Sequence, residues 1–324
     1  MATPRQVMTS GTDVVTGGAG FVGSELVSQL AASGRRVIVI DDLSTGHREH
    51  LDGLGPGPVE LVRCDVRDAE AVGACLRGVD TVYHLACVNL RRSLVDPEAA
   101  HAVNATGTVT VLEAARTVAP RRVVHVSSSE VYGSARTVPM DEDHPTYPTT
   151  PYGASKLAGE AYARAYGLSF GLPVVVVRPF NAYGPRAHHE GNSGEVIPLF
   201  VRNALARQPL TIFGDGCQTR DFTHVADIAA GIRRAGTIAG IVGATFNLGS
   251  GREISVDDLA RLVVDTFGGS STPIERQAPR PGDVRRLCAD ASSAAHVLGF
   301  APSRSLREGI AEIAAHHRMG CPAR

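Results

Sequence analysis

The sequence predicts an α/β protein: a Rossmann-type doubly wound parallel sheet followed by a smaller C-terminal α/β substrate domain. Three observations predict this fold class. Short apolar runs alternate with segments of helical spacing through the first half of the chain, and a glycine-rich turn joins the first run to the first such segment. Beyond Gly184 the loops lengthen and glycine and proline cluster, which indicates a second region.

The alternation can be followed element by element. Strands that alternate with helices form right-handed crossovers, so they assemble into a parallel sheet covered on both faces. We predict strands at 13–16, 36–40, 59–63, 81–85, 122–126 and 173–178, and helices at 25–32, 69–77, 99–116 and 152–166. The predicted organisation is a loose lead at 1–10, a Rossmann domain at 11–182 and a substrate domain at 183–324, with part of 222–250 packing back on the first domain.

Composition excludes several classes of function. The chain is 43% hydrophobic and 20% charged with a formal net charge of −1, so it has no electrostatic reason to bind nucleic acid or a membrane surface. Its longest purely aliphatic run, at 174–177, is far shorter than the ~20 residues of a membrane span. We expect small-molecule partners.

Cysteine and histidine spacing predicts no metal site. The six cysteines form no Cys-x-x-Cys pair, which argues against zinc and against a disulfide framework and favours a reducing cytoplasm. His188 and His189 are adjacent, a pattern more typical of an exposed loop than of metal ligands.

The glycine-rich turn predicts a dinucleotide site. Gly17, Gly20 and Gly23 stand in G-x-x-G-x-x-G spacing, with Phe21 and Val22 between the last two. Bare backbone at such a turn can approach a pyrophosphate at a helix N-terminus, although a tight turn with a helix cap would show the same pattern.

Acidic residues after the second and third strands strengthen the prediction. Asp41 and Asp42 end the second strand, where a carboxylate accepts hydrogen bonds from the adenosine ribose. A carboxylate there repels a 2′-phosphate, which favours NAD over NADP. Asp65 and Val66 follow the third strand, and we expect them beside the adenine.

Tyr152 and Lys156 form the predicted catalytic pair. They stand at helical positions i and i+4, hence on one face, and a cation beside a phenol stabilises the phenolate, so the pair can act as a base. Lys156 is the only lysine in the chain, and a serine run that includes Ser128 follows the strand at 122–126. A chance Tyr-x-x-x-Lys on a surface helix is the alternative.

These residues resemble a family: the extended short-chain dehydrogenase/reductases, specifically the NAD-dependent nucleotide-sugar epimerases and dehydratases. The resemblance extends over nearly the whole chain. It includes the segments 16–23, 41–46, 84–86, 127–133, 152–156, 178–186, 213–216, 219–222 and 280–283, together with Asn104.

The resemblance implies a tightly held NAD that oxidises a sugar at C4 and is reduced and reoxidised within one catalytic cycle. It makes Tyr152 the base, Lys156 its partner and Ser128 the hydroxyl that shares the C4 oxygen. It adds cofactor contacts from Leu85, Ala86, Asn104 and Pro179, and substrate contacts from Asn181, Phe213, Arg220, Arg280 and Asp283. A homodimer formed through the helices at 99–116 and 152–166 is also implied.

The fate of the ketone depends on Glu130. A 4-epimerase needs no carboxylate beside the ketone, whereas loss of water across C5 and C6 needs a base for the C5 proton. Glu130 matches the position that 4,6-dehydratases use, and UDP-glucuronate decarboxylases resemble it too. Ser129 departs from dTDP-glucose dehydratases, which usually carry an aspartate there, and the segments 42–46 and 280–285 look closer to UDP-glucose 4-epimerases.

We therefore expect an NDP-hexose 4,6-dehydratase, with a UDP-sugar 4-epimerase, a UDP-glucuronate decarboxylase and a non-catalytic NAD sensor or scaffold as alternatives. The nucleotide is left open among UDP, dTDP and GDP. One further hypothesis concerns the segment 87–93, which is one residue shorter than in common relatives: Arg91 or Arg92 meets an anionic group of the sugar, unless both lie on a solvated loop.

Overall fold

The computed structural model describes residues 11–55, 57–188, 195–268, 272–280 and 282–320. The predicted lead at 1–10 and His189 lie outside the described residues. The strands are β1 (Thr12–Thr16), β2 (Arg36–Asp41), β3 (Val59–Arg63), β4 (Thr81–His84), β5 (Arg122–Val126), β6 (Val174–Pro179), β7 (Asn181–Tyr183), β8 (Leu210–Phe213), β9 (Thr219–His224), β10 (Thr245–Leu248), β11 (Glu253–Ser255) and β12 (Ile274–Gln277).

Helices separate most of these strands. They are α1 (Phe21–Ala32), α2 (Ala69–Cys75), α3 (Leu90–Val95), α4 (Pro97–His101), α5 (Thr108–Val118), α6 (Pro151–Phe170), α7 (Val196–Leu205), α8 (Val225–Thr237), α9 (Val256–Val263), α10 (Ser292–Leu298) and α11 (Leu306–Gly320). Within the described ranges, no helix combines the length and apolarity that crossing a bilayer requires.

A seven-stranded parallel sheet forms the centre, in the order β10-β6-β5-β4-β1-β2-β3. Apolar side chains cover both faces: Leu26 of α1 and Ile228 of α8 pack on one, and Val72 of α2 and Leu112 of α5 on the other. The predicted Rossmann-type α/β fold class is therefore confirmed. Since all seven strands are parallel, their carboxyl ends meet at one edge, where ligands of such sheets bind.

The later part of the chain forms two small sheets beside this edge. One contains β11, β9 and β7, and the other pairs β12 with β8. Ile197 of α7, Leu259 of α9 and Ile310 of α11 share a separate apolar core. The predicted division at residue 182 falls inside β7, and β10 and α8 belong to the central sheet and its cover. The domain boundary stays a prediction.

The predicted helix at 99–116 is wrong in detail. The chain forms α4, then a π-helical turn at Ala102–Gly107, then α5. The physical reason is local: the buried side chain of Asn104 bonds the backbone of Val88 and the hydroxyl of Ser155, and its carbonyl accepts from Thr108 Oγ1. A wider turn of this kind is common at functional sites.

A buried ion pair ties the sheet to α6. Arg178 at the end of β6 and Glu160 on α6 are each 1% exposed, and their side chains form two hydrogen bonds of 2.6 and 3.1 Å. Arg178 also donates to the Tyr132 hydroxyl (2.6 Å) and to the carbonyl of Glu142 (2.9 Å). The pair raises the pKa of Arg178 and lowers that of Glu160, so both groups stay charged.

We expect Glu160→Gln to destabilise the protein by about 3 kcal/mol, because it leaves the guanidinium of Arg178 buried without a counter-charge. Glu60→Gln is the matched control, since Glu60 pairs with Arg36 at a site where both side chains are more than half exposed. Urea unfolding of the two variants measures the difference. Equal losses in both variants would show that the buried pair does not stabilise the fold.

Candidate active site

A cavity of about 790 Å³ lies at the carboxyl edge of the central sheet and continues between the two parts of the molecule. It is lined by the glycine turn, by the loops after β2 to β6 and by residues of the later sheets. Every residue to which the sequence assigned a cofactor, substrate or catalytic role lines this cleft, with the exception of Asn104.

The glycine turn brings backbone close to the cleft. Gly17 has φ +69°, and a Cβ there would lie 2.8 Å from the backbone of Ala86. A Cβ at Gly23 would collide with the carbonyl of Gly17. Helix α1 begins directly after Gly20, which provides no side-chain cap, and its first turn has no acidic residue. The free amides of that turn suit a pyrophosphate, so the residues present fit a dinucleotide.

Asp41, the last residue of β2, is hydrogen-bonded to the glycine turn. One carboxylate oxygen accepts from Ala19 N and the other from Leu43 N, both at 2.9 Å, and burial raises its pKa. Each oxygen keeps a lone pair for a ribose hydroxyl. Asp42 is exposed and its carboxylate accepts from Ser44 N. The two predicted ribose ligands therefore differ in rigidity.

The remaining predicted cofactor residues surround the same half of the cleft. Asp65 is held by Arg67 at 2.6 Å, which lowers the pKa of Asp65, and buried Val66 lies next to it. Leu85 and Ala86 follow β4, and their amides both donate to Thr16 Oγ1 at 3.2 Å. Pro179 is the last residue of β6.

Asn104 is the one predicted cofactor residue that does not line the cleft in the described structure. Its side chain is 1% exposed and makes all its polar contacts to protein: the amide and carbonyl of Val88, and Ser155 Oγ at 2.9 Å. Ser155 in turn donates to the carbonyl of Tyr152. Asn104 thus connects the loop after β4 to the first turn of α6, and its contact with the cofactor stays a prediction.

Tyr152 lies in the first turn of α6. Thr150 caps this helix by accepting from Gly153 N at 3.1 Å, and Pro151 occupies the first helical position. Ser128 is close enough to the phenol to lower its pKa, and the Oγ of Ser128 accepts from Glu130 N at 3.2 Å. The predicted tyrosine and serine therefore lie near each other at the cleft.

Tyr152 and Lys156 are both buried at the cleft, and their catalytic pairing stays a prediction. Burial raises the pKa of Tyr152 well above its ordinary value and lowers the pKa of Lys156. The ammonium donates to the carbonyl of Val126 at 2.5 Å. Burial therefore disfavours the phenolate of Tyr152.

Glu130 lies in a short 3₁₀ turn, Ser129–Val131, directly after Ser128. It is 9% exposed and borders the cleft. Burial raises its pKa, and Arg220 opposes that rise. A carboxyl group with a raised pKa, next to the phenol, is suited both to accept and to return a proton.

The predicted substrate residues line the other half of the cleft. Asn181 Oδ1 is buried without a hydrogen-bond partner in the described structure, so an acceptor faces the cleft. Arg220 donates to Asp283 at 2.5 Å. Arg280 stacks over Phe213 at 3.6 Å, and burial, with repulsion from Arg91, lowers its pKa to about 10.

Sequence reasoning missed Glu195, which borders the cleft just before α7. Burial raises its pKa to about 7, against attraction from Arg91. No motif points to this glutamate, because only the folded chain brings it near Tyr152. Among the described residues no three histidine, cysteine, aspartate or glutamate side chains are arranged to hold a metal ion.

Comparison with known proteins gives one consistent result. Residues 14–249 match the model of the NAD dependent epimerase/dehydratase family. The chain is 40% identical to a UDP-glucose 4-epimerase of Mycolicibacterium smegmatis, over 92% of this chain and 96% of the relative. It is 35% identical to a dTDP-glucose 4,6-dehydratase of Streptomyces antibioticus, over 92% and 90%.

A solved structure agrees with these relatives. The dTDP-glucose 4,6-dehydratase DesIV of Streptomyces venezuelae, determined with NAD bound, superposes with a TM-score of 0.89 at 35% identity, over 95% of this chain and 97% of that one. Epimerases and dehydratases thus match at similar identity. The chain belongs to the NAD-dependent epimerase/dehydratase family of nucleotide-sugar enzymes, within the extended short-chain dehydrogenase/reductases, and its cofactor is NAD.

Proposed function

We propose that the protein is a 4,6-dehydratase that acts on a nucleotide-linked hexose through a 4-keto intermediate. The observation that carries the proposal is Glu130, a nearly buried carboxyl group with a raised pKa beside Ser128 and Tyr152. The relatives support the broader class of reaction but do not choose between dehydration and epimerisation, because both activities occur among them.

In this proposal Tyr152 takes the proton of the C4 hydroxyl, and Ser128, which lies near Tyr152 at the cleft, holds the same oxygen. NAD supplies the hydride acceptor when it is bound, together with a positive charge beside the phenol. Such a charge would favour the phenolate, which burial otherwise disfavours. The ammonium of Lys156 already donates to the Val126 carbonyl. Lys156 keeps this end of the cleft positive.

Glu130 performs the second step. A ketone at C4 acidifies the C5 proton, which Glu130 accepts, and the C6 hydroxyl leaves with a proton as water. The hydride taken from C4 is then added to C6 and a proton returns to C5, so the net change is the loss of one water. The raised pKa of Glu130 suits a group that must both accept and return a proton.

The substrate's diphosphate is assigned to Arg220, Arg280 and Asn181. Arginine binds phosphate through paired donors, and Arg280 has no hydrogen-bond acceptor among the described residues. Phe213, which supports the Arg280 guanidinium at 3.6 Å, is placed to contact the nucleotide base. Asp283 orients Arg220. A homodimer remains a proposal from the resemblance alone.

The second candidate is 4-epimerisation, which the 40% identical epimerase favours. It uses Tyr152 and Ser128 in the same way but returns the hydride to the opposite face of C4. Glu130 would then take no part in proton transfer, so this residue separates the two reactions. UDP-, dTDP- and GDP-sugars incubated with the protein would lose 18 mass units if dehydrated and none if epimerised.

We expect Glu130→Gln to retain C4 oxidation and to lose product formation by at least about a hundredfold, because the amide cannot accept the C5 proton. Stopped-flow absorbance of reduced NAD reports the oxidation, and mass spectrometry reports the product. Tyr152→Phe should abolish both signals, and exposed Glu60→Gln should change neither. Native-rate product formation by Glu130→Gln would rule out dehydration by this route.

We expect Asp41→Asn to weaken NAD binding about tenfold or more, because it removes both a ribose acceptor and one anchor of the glycine turn. Asp42→Asn is the matched variant and should change the affinity less than threefold or so, since its carboxylate is exposed and bonds only locally. Titration of protein freed of nucleotide measures both affinities. Equal effects would contradict the assignment of Asp41 as the principal ribose ligand.

A further inference from the structure

One ion pair joins the segment after β7 to the first helix, close to the cleft but outside it. Arg186 lies shortly after β7, and its guanidinium is 2.6 Å from the carboxylate of Glu25, on α1. Both side chains are more than four-fifths buried. Neither residue lines the cavity, so neither is placed to contact a ligand directly.

The chain beside Arg186 packs on the beginning of α1 and then reaches the cleft. Ala187 is 5% exposed and belongs to an apolar cluster with Phe21, the first residue of α1. His188 lines the cleft, and its carbonyl accepts from Glu195 N at 2.9 Å, directly before α7. Arg186 and Ala187 therefore hold the stretch that ends at this part of the cleft wall.

The guanidinium of Arg186 also contacts the backbone that surrounds the glycine turn. It donates to the carbonyl of His50 at 3.4 Å, and the ring of His50 hydrogen-bonds to the carbonyl of Ala19 at 2.9 Å. Since a carbonyl can only accept, Nδ1 of His50 carries the proton in this bond. The amide of Ala19 donates to Asp41, the predicted ribose ligand. These contacts connect Arg186 to Asp41 by way of the glycine turn.

The backbone of Arg186 is strained where these contacts meet. Its φ is +68°, a left-handed conformation that is unfavourable for a residue with a Cβ. The ion pair with Glu25 and the burial of Ala187 offset that cost. Strained residues of this kind concentrate at ligand clamps and switch regions, and Arg186 lies between the two halves of the cleft.

We propose that Arg186 is a positioning residue that couples the two ligands, so that bound NAD strengthens binding of the nucleotide part of the substrate. NAD at the glycine turn fixes Ala19 and His50, and through Arg186 it fixes the wall of the other half, so the second ligand has less to order. Because such coupling is reciprocal, the nucleotide strengthens NAD binding by the same factor. The inference goes beyond the proposed reaction and holds for dehydration and epimerisation alike.

The test measures, by calorimetry, the affinity for UDP, dTDP and GDP of protein loaded with NAD and of protein freed of nucleotide. These ligands lack the sugar that reacts with the nicotinamide, so a change in their affinity reports coupling through the protein. We expect NAD to tighten binding of the preferred nucleoside diphosphate at least about fivefold in the native protein. Arg186→Gln should reduce this factor to below about twofold, and exchanging the charges, with Arg186→Glu and Glu25→Arg together, should restore part of it.

Two further variants separate the ion pair from other effects. Arg186→Gly relieves the backbone strain but removes the ion pair, so it should lose the coupling even if the protein is no less stable. Arg36→Gln is the matched control and should keep the native factor, because Arg36 pairs with Glu60 at an exposed site on β2. Retention of NAD during gel filtration, with and without the nucleoside diphosphate, measures the same coupling in loaded protein.

Each outcome decides the inference. Nucleoside diphosphate binding that does not depend on NAD in the native protein overturns it and leaves the proposed reaction untouched. A native-sized factor in folded Arg186→Gly protein overturns the role of Arg186. If none of the three nucleoside diphosphates binds in either state, both this inference and the assignment of a nucleotide-linked substrate are contradicted.

Discussion

The ion pair between Arg178 and Glu160 is the constraint on which the site depends. Arg178 lies next to the last residue of β6, Pro179, which lines the cleft, and Glu160 lies on the helix that carries Tyr152 and Lys156. The same guanidinium donates to the hydroxyl of Tyr132, two residues beyond Glu130, and stacks on its ring at 4.7 Å. The buried guanidinium of Arg178 thus connects α6, which carries Tyr152, to the end of β6 and to the segment just after Glu130.

The charged and polar groups that line the cleft differ between its two halves. The dinucleotide half offers helix amides and a fixed carboxylate, which suit a pyrophosphate and a ribose without a 2′-phosphate. The distal half offers arginines for a diphosphate. Between them, burial shifts the pKa values of Tyr152, Glu130 and Glu195 upward and that of Lys156 downward, so it favours the uncharged form of each of these groups.

Much of this arrangement could be predicted from the sequence because it follows local rules. The alternation of strands and helices predicts the central sheet. The glycine spacing and the acidic residues after β2 predict the dinucleotide half of the cleft. Tyr152 and Lys156 were predictable because one helical turn separates them. What the sequence could not show depends on contacts across the chain: the side chain of Asn104 bonds to Val88 and Ser155, and the Tyr152 pKa is raised by burial that no spacing reveals. Glu195 lacks a motif and is brought to the site only by folding.

In the proposed reaction, Tyr152 initiates reversible oxidation at C4 and Glu130 directs the ketone to dehydration. Nucleotide-linked hexose deuterated at C4 tests both steps, through the mass of the product and the position of its label. We expect a product that has lost water and carries the deuterium at C6. A product of unchanged mass with deuterium at C4 would establish epimerisation, and loss of the deuterium to solvent would contradict transfer within one cycle.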